Sequence, residues 1–196
     1  MMTVDEARPF LDRWGNLLYE CVDAGIRHWD TLSAAQQVTY FRRSKASIIN
    51  DVIVTKAREL LDNPPDSRAE LLLGQVRVTL EDALEIKFKK LDSTFRPSNS
   101  FTQLALNFLF QVRQLTLFPS RTNLIVGYRW NLLETDVRVF VVCPAGKRNA
   151  WVYELPSPAA ASGGSSLTVI GPTPPTPPPD RVRLKEPSET AAESND

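Results

Sequence analysis

With 196 residues, 42% of them hydrophobic and 23% charged, the chain has the composition of an ordinary globular protein and is long enough for one well-buried core. Its 23 basic and 23 acidic side chains cancel, so any nucleic-acid footprint has to be local. No run approaches the ~18 apolar residues of a membrane-spanning helix, and the opening Met1-Met2-Thr3-Val4-Asp5-Glu6 is acidic where a secretory signal is basic and then apolar, so no membrane partner and a cytoplasmic address in a bacterium, phage or plasmid host are expected.

Phe10, Trp14, Leu17, Leu18, Cys21, Val22 and Ile26 recur at helical spacing, which predicts a first helix from residue 8 to 28, with Pro9 in its first turn and His28 at its C-terminal end. Ser33 with Gln36 makes a capping-box pattern, so a second helix starts there and runs to Asn63-Pro64-Pro65. Its cations Arg42, Arg43, Lys45, Lys56 and Arg58 are interrupted by Asp51, Glu59 and Asp62, the pattern of a solvated face.

Val76, Val78 and Leu80 alternate with polar residues, as do Leu84, Ile86 and Phe88, giving two half-buried strands. A two-residue turn mixes their faces, whereas the loop Glu81-Asp82-Ala83 pairs Leu80 with Leu84, Val78 with Ile86 and Val76 with Phe88. Ser98, Asn99 or Ser100 caps a third, strongly apolar helix to about Gln114, expected deep in the core. Three more strands follow at Asn123 to Asn131, Asp136 to Cys143 and Ala150 to Leu155.

The expected fold is therefore α+β in the order ααββαβββ: two N-terminal helices, a β-hairpin, a buried helix and a three-stranded antiparallel meander, with the helices on one face of the sheet. It occupies residues 1–156. Residues 157–196, rich in Pro, Ser and Ala with an acidic end, read as a disordered tail and spacer, in which Leu167-Thr168-Val169-Ile170 and Val182-Arg183-Leu184 are apolar islands fit to dock on a partner.

His28 is the sole histidine, so zinc sites of the His/Cys kind and nucleophiles with a histidine base lack their parts. Neither GxxxxGK[ST] nor a GxGxxG after a strand is present. Cys21 and Cys143 sit in apolar patterns, as small buried hydrophobes do.

The catalytic pattern to weigh is Pro65-Asp66 followed by Glu85-Ile86-Lys87, which resembles the PD-(D/E)XK nucleases. That resemblance implies phosphodiester hydrolysis with Mg²⁺, with Asp66, Asp82, Glu85 and Lys87 as catalytic candidates and Asp82 and Glu85 as metal ligands. Against it, Glu85 faces Thr79 in the hairpin, and an extended strand carries Asp66 away at ~3.3 Å per residue unless the chain reverses sharply near Gly74. The same register sets Arg77 opposite Lys87 and Gln75 opposite Lys89 on the face away from the apolar stripe, where like charges repel. Neighbouring carboxylates such as Glu85, water, a phosphate backbone or an acidic partner segment are the candidates to relieve them. Lys90, Arg96, Arg129 and Arg138 are the residues that extend such a patch.

The segments Phe88-Lys89-Lys90-Leu91-Asp92, Asn99, Thr102-Gln103-Leu104-Ala105-Leu106, Gln111, Thr122-Asn123-Leu124, Gly127-Tyr128, Cys143-Pro144 and Trp151 together resemble an uncharacterised bacterial and phage family. Its setting is similar to that of companions of helix-turn-helix regulators and zinc peptidases on mobile elements. The resemblance implies a regulatory or binding role and no catalytic residue. The expected function is a non-enzymatic interaction protein without cofactor, binding a protein partner, and nucleic acid on the same surface, through Arg77, Lys87, Lys89, Lys90, Arg96, Arg129 and Arg138. A metal-dependent nuclease is the alternative. Nothing in the residues specifies an oligomeric state.

Overall fold

A computed structural model describes residues 1–72, 75–97, 102–111, 121–158 and 169–170. Helix α1 spans Val4–Thr31 and begins earlier than the apolar spacing predicts, because Thr3 and Glu6 form a capping box that fixes its start and leaves Pro9 inside the helix. Its buried stripe runs through Leu11, Trp14, Leu18, Cys21, Val22, Ile26 and Trp29.

The second expected helix is two. Ser33 and Gln36 do form a capping box, but α2 (Ala34–Thr39) ends at Tyr40, whose backbone is extended, and α3 runs Arg42–Leu61. The β-branched and aromatic run Val38-Thr39-Tyr40-Phe41 has low helix propensity, and none of the α2 residues is buried to offset it. Helix α3 packs on α1 through Ile49, Ile53, Ala57 and Leu61. No described helix is long and apolar enough to cross a membrane.

Beyond Pro64-Pro65 comes a strand the residue pattern does not announce, β1 (Ser67–Leu72). Its Ser67 hydroxyl donates to the Leu61 carbonyl, and the Ala69 N–H donates to Asp62 Oδ1 at 3.2 Å, so the end of α3 holds the strand start in place. Strand β2 (Gln75–Leu80) pairs antiparallel with it, Leu72 facing Gln75 and Ser67 facing Leu80. Strand β3 (Leu84–Lys90) follows the expected three-residue turn, with Leu80 facing Leu84 and Val78 facing Ile86.

The sheet is largely antiparallel, as expected, with one parallel pair at its centre. β3 pairs with β4 (Thr122–Trp130) in parallel, because the chain between them crosses the sheet face and re-enters at the end where β3 began. β5 (Val137–Ala145) and β6 (Arg148–Leu155) complete the expected antiparallel meander. Val169 and Ile170 add β7 to the outer edge of β6, opposite Tyr153 and Val152. Two residues of one apolar island of the expected tail are therefore part of the sheet, since extended backbone beside an open edge gains ladder bonds. The rest of the tail, residues 159–168 and 171–196, lies outside the described residues, as do the cap candidates Ser98, Asn99 and Ser100. The strand order is β1-β2-β3-β4-β5-β6-β7.

Helices α1 and α3 cover one face, burying Val78, Leu80, Leu84, Ile86, Leu124, Val126, Val141 and Cys143 in the main core. Each fully buried aliphatic side chain there contributes about 1.5–3 kcal/mol. The third expected helix is shorter and placed differently. α4 (Gln103–Leu109), capped by Thr102, lies on the opposite face and buries only Phe108, in a second cluster with Leu91, Ile125, Phe140, Val142 and Val152. It is not deep in the main core and not on the side of the other helices, because the parallel connection that carries it must pass over the free face.

Gln111 ties this small layer to the sheet. Its Nε2 donates to the carbonyls of Asn123 (2.8 Å) and Pro144 (3.0 Å), its Oε1 accepts from the Asn123 N–H (2.8 Å), and Asn123 Nδ2 donates to the Phe108 carbonyl (3.0 Å). Gln111→Leu strands these partly buried backbone groups and is expected to cost about 2 kcal/mol. Urea denaturation reads the loss; an unchanged midpoint would show that water replaces the amide at no cost.

Candidate functional site

The face of the sheet opposite α1 and α3 is apolar under α4 and polar on β2 and β3. Alternation along β3 directs Leu84, Ile86 and Phe88 to the main core and Glu85, Lys87 and Lys89 to this second face. Arg77 and Thr79 of β2 share it. The expected Arg77–Lys87 and Gln75–Lys89 pairs are not formed: the β2–β3 ladder ends at Val78 and Ile86, and Arg77 lies opposite Glu70 of β1. Arg77 Nε also sits 3.1 Å from Glu85 Oε1 without the alignment of a hydrogen bond. Of the candidates to relieve Arg77, a neighbouring carboxylate is the one found.

Lys87 and Lys89 are different. They face Ile125 and Gly127 of β4, are half-buried, and form no ion pair among the described residues. Lys87 Nζ stands 4.1 Å above the Phe108 ring. Burial holds the Lys87 ammonium below its usual pKa, opposed by Glu85 and reinforced by the cations Arg77 and Lys89; burial alone does the same at Lys89. The site is therefore a pair of desolvated cations on a rigid strand beside an aromatic ring.

The other expected cations do not join them. Lys90 alternates onto the helix-side face with Phe88. The Arg96 N–H donates to Asp92 Oδ1, which also accepts from Thr94 and so fixes the loop after β3. Leu91 lies over Gly127, where a Cβ would meet its Cγ at 2.5 Å, and stands between Lys89 and Arg129. Arg129 stacks on Phe95 at 4.7 Å and donates to the Ser93 carbonyl. Arg138, directly opposite Arg129, lies 3.6 Å from Asp136 and 3.7 Å from Glu154. The broad basic patch thus contracts to Lys87 and Lys89, and Phe108, read from the sequence as core, becomes part of the site.

The nuclease candidates are distributed over two places. The chain does reverse between β1 and β2, and this returns Asp66 to the Glu81 turn, whose N–H donates to the Asp66 carbonyl at 2.7 Å. Asp66 and Asp82 line one polar cavity of about 560 Å³ with Asp62, Glu70, Glu81, Arg68 and Arg121, while Glu85 and Lys87 lie on the sheet face outside it. Each acid already holds a cation or a backbone donor. Asp66 and Glu81 bind Arg13 at 2.6 and 2.8 Å, Asp82 binds Arg121 at 2.7 Å, Glu70 binds Arg68 at 2.7 Å, and Asp62 takes the Ala69 N–H. Among the described residues no three His, Cys, Asp or Glu side chains converge as a metal site would require.

Comparison with protein-family models, with curated proteins and with solved structures found no match.

Proposed function

We propose that the chain is a non-enzymatic interaction protein of a cytoplasmic regulatory module, and that its β3 face takes an acidic segment of a protein partner. The observation that carries this reading is the pair Lys87 and Lys89, half-buried, lowered in pKa and without a counter-ion among the described residues. A buried charge left unpaired costs free energy, and an incoming carboxylate offsets it. Phe108 beside Lys87 gives apolar residues of the same segment a surface to lie on.

Magnitude favours an acidic peptide over a nucleic-acid backbone. Sequence-independent duplex binding draws on roughly six to ten phosphate contacts from exposed cations. Here Arg77 and Arg138 are neutralised, Arg129 is stacked, and two recessed lysines remain.

The test is fluorescence anisotropy of the full chain with a labelled glutamate-rich peptide and with a labelled duplex, at low and at physiological salt. Replacing Lys87 and Lys89 together with glutamine is expected to weaken peptide binding about tenfold or more, with the thermal midpoint as a folding control. Equal affinity for the peptide in both proteins would sink the reading. Tight duplex binding with a steep salt dependence, lost in the double variant, would transfer the surface to nucleic acid.

A further inference from the structure

Strand β1 ends the sheet order, with β2 alone beside it among the described residues. The Glu81 N–H donates to the Asp66 carbonyl and continues the β1–β2 register, so Asp66, Arg68, Glu70 and Leu72 bond towards β2. Ser67, Ala69 and Leu71 therefore turn their N–H and carbonyl groups to the open edge. Two of those N–H groups are met within the chain: Ser67 donates to the Pro64 carbonyl at 3.1 Å and Ala69 to Asp62 Oδ1 at 3.2 Å. An open edge is a template for another strand, and a carboxylate over one N–H guards it only while it stays there.

The charges on this edge are self-complementary. A second β1 laid antiparallel about a two-fold axis keeps edge-facing residues opposite one another over most of the strand when the axis passes at residue 68, 69 or 70. The axis at 68 sets Arg68 against its own copy and the axis at 70 does the same to Glu70, and like charges directly opposite are destabilising. The axis at Ala69 instead sets Arg68 opposite Glu70 twice. These two side chains are exposed and already 2.7 Å apart within one strand, so a second copy completes a quartet of alternating charge. Leu71, exposed in the lone chain, comes opposite Ser67.

We infer that the open edge of β1 takes the same edge of a second copy of this chain, with Ala69 on the axis and Asp62 as a competing guard. The Ala69 N–H passes from Asp62 to the Ala69 carbonyl of the second copy. The Leu71 N–H donates to the Ser67 carbonyl of the second copy, while Ser67 keeps its bond to Pro64. One strand a side falls short of the ~1,200 Å² of a stable interface, so the dimer is weak and concentration-dependent. Lys87 and Lys89 lie two strands away on β3, so this pairing is independent of the acidic-partner reading.

Mixing an Arg68→Cys chain with a Glu70→Cys chain under mild oxidation tests the register. The axis at Ala69 puts those two positions ~4.5 Å apart between Cα atoms, within disulfide range, and each position roughly 8 Å from its own copy, beyond it. The native thiols Cys21 and Cys143 are buried and pushed up to about 12, so the introduced thiols alone react at neutral pH. The expected result is a mixed crosslinked dimer that forms about tenfold faster than either chain's own, and about tenfold faster again with Asp62→Ala in both chains. Equal rates in the mixture and in the separate chains, with and without Asp62→Ala, overturn the inference. Sedimentation equilibrium reads the pairing without introduced thiols. The average mass is expected to rise with concentration in wild type and to stay monomeric in Leu71→Pro, which removes an edge-facing N–H without breaking the β1–β2 ladder. A rise undiminished in Leu71→Pro, or no rise in wild type and Asp62→Ala alike, also overturns it, with thermal midpoints as the folding control.

Discussion

Leucine in place of Gly25 is expected to destabilise the fold by about 3 kcal/mol, at the upper end of what overpacking costs. At Gly25 the backbones of α1 and α3 approach closely. A Cβ there would lie 2.7 Å from the Ile49 carbonyl oxygen and 2.8 Å from Ile53 Cγ1, so backbone, not a flexible side-chain tip, would have to give way. Separating the helices exposes Ile49 and Ile53, both fully buried, and loosens α3 over β2 and β3. Gly15 of the same helix is the control. Its Cβ would meet only Leu155 Cδ2, at 3.2 Å, so Gly15→Ala is expected to be neutral or to gain up to ~1 kcal/mol of helix propensity. Urea midpoints of the two variants read the difference. Similar values would mean that α1 and α3 are not in the contact described.

The elements legible in the sequence are those whose signal is local. Alternation from Val76 to Phe88 fixes both strands and their register at the turn, because a one-residue slip would put Ile86 in water. Strand β1 is opaque for the opposite reason. Ala69, Glu70, Leu71 and Leu72 favour helix, and only the pairing with β2 makes them extended. The parallel β3–β4 pair and the placement of α4 depend on where a long connection crosses, which no local pattern encodes.

The candidate site divides in the same way. That Lys87 and Lys89 share a face follows from period two, and so does the opposite placement of Lys90 once β3 is known to continue through it. That Arg77 is neutralised depends on a diagonal to Glu85, and that Arg77 also faces Glu70 depends on the strand the pattern hides. Arg129 does lie on the strand flanking the hairpin and Arg138 one strand further out, but Leu91 over Gly127 interrupts the surface between them and Lys89. The tight approach at Gly127 was visible in the sequence only as a glycine in a strand, a sign of close backbone contact that does not name the contacting residue.

Raising the pH from neutral to about 11 is expected to remove roughly 5 kcal/mol of stability through two cysteines. Cys21 and Cys143 are free and buried, and each thiol is pushed up from 9.0 to about 12. Burial is the main cause at both; Glu20 adds to it at Cys21 and Lys56 opposes it. The folded value lies above the unfolded one, so the protonated thiol's contribution is complete below pH 9 and is lost as pH rises towards 12. Within that window each thiol costs about 1.4 kcal/mol per pH unit. The phenols of Tyr128 and Tyr153, also raised by burial, act in the same sense at higher pH. Lys87 and Lys89 act oppositely: their folded values lie below the usual 10.5, so the unfolded chain holds the extra proton and stability gains as pH climbs towards that value. Urea midpoints across this range, for wild type and for Cys21→Ala with Cys143→Ala, separate the contributions. The double variant should start lower, from lost packing, and decline with less than half the slope; a slope equal to wild type would place the alkaline loss in other groups.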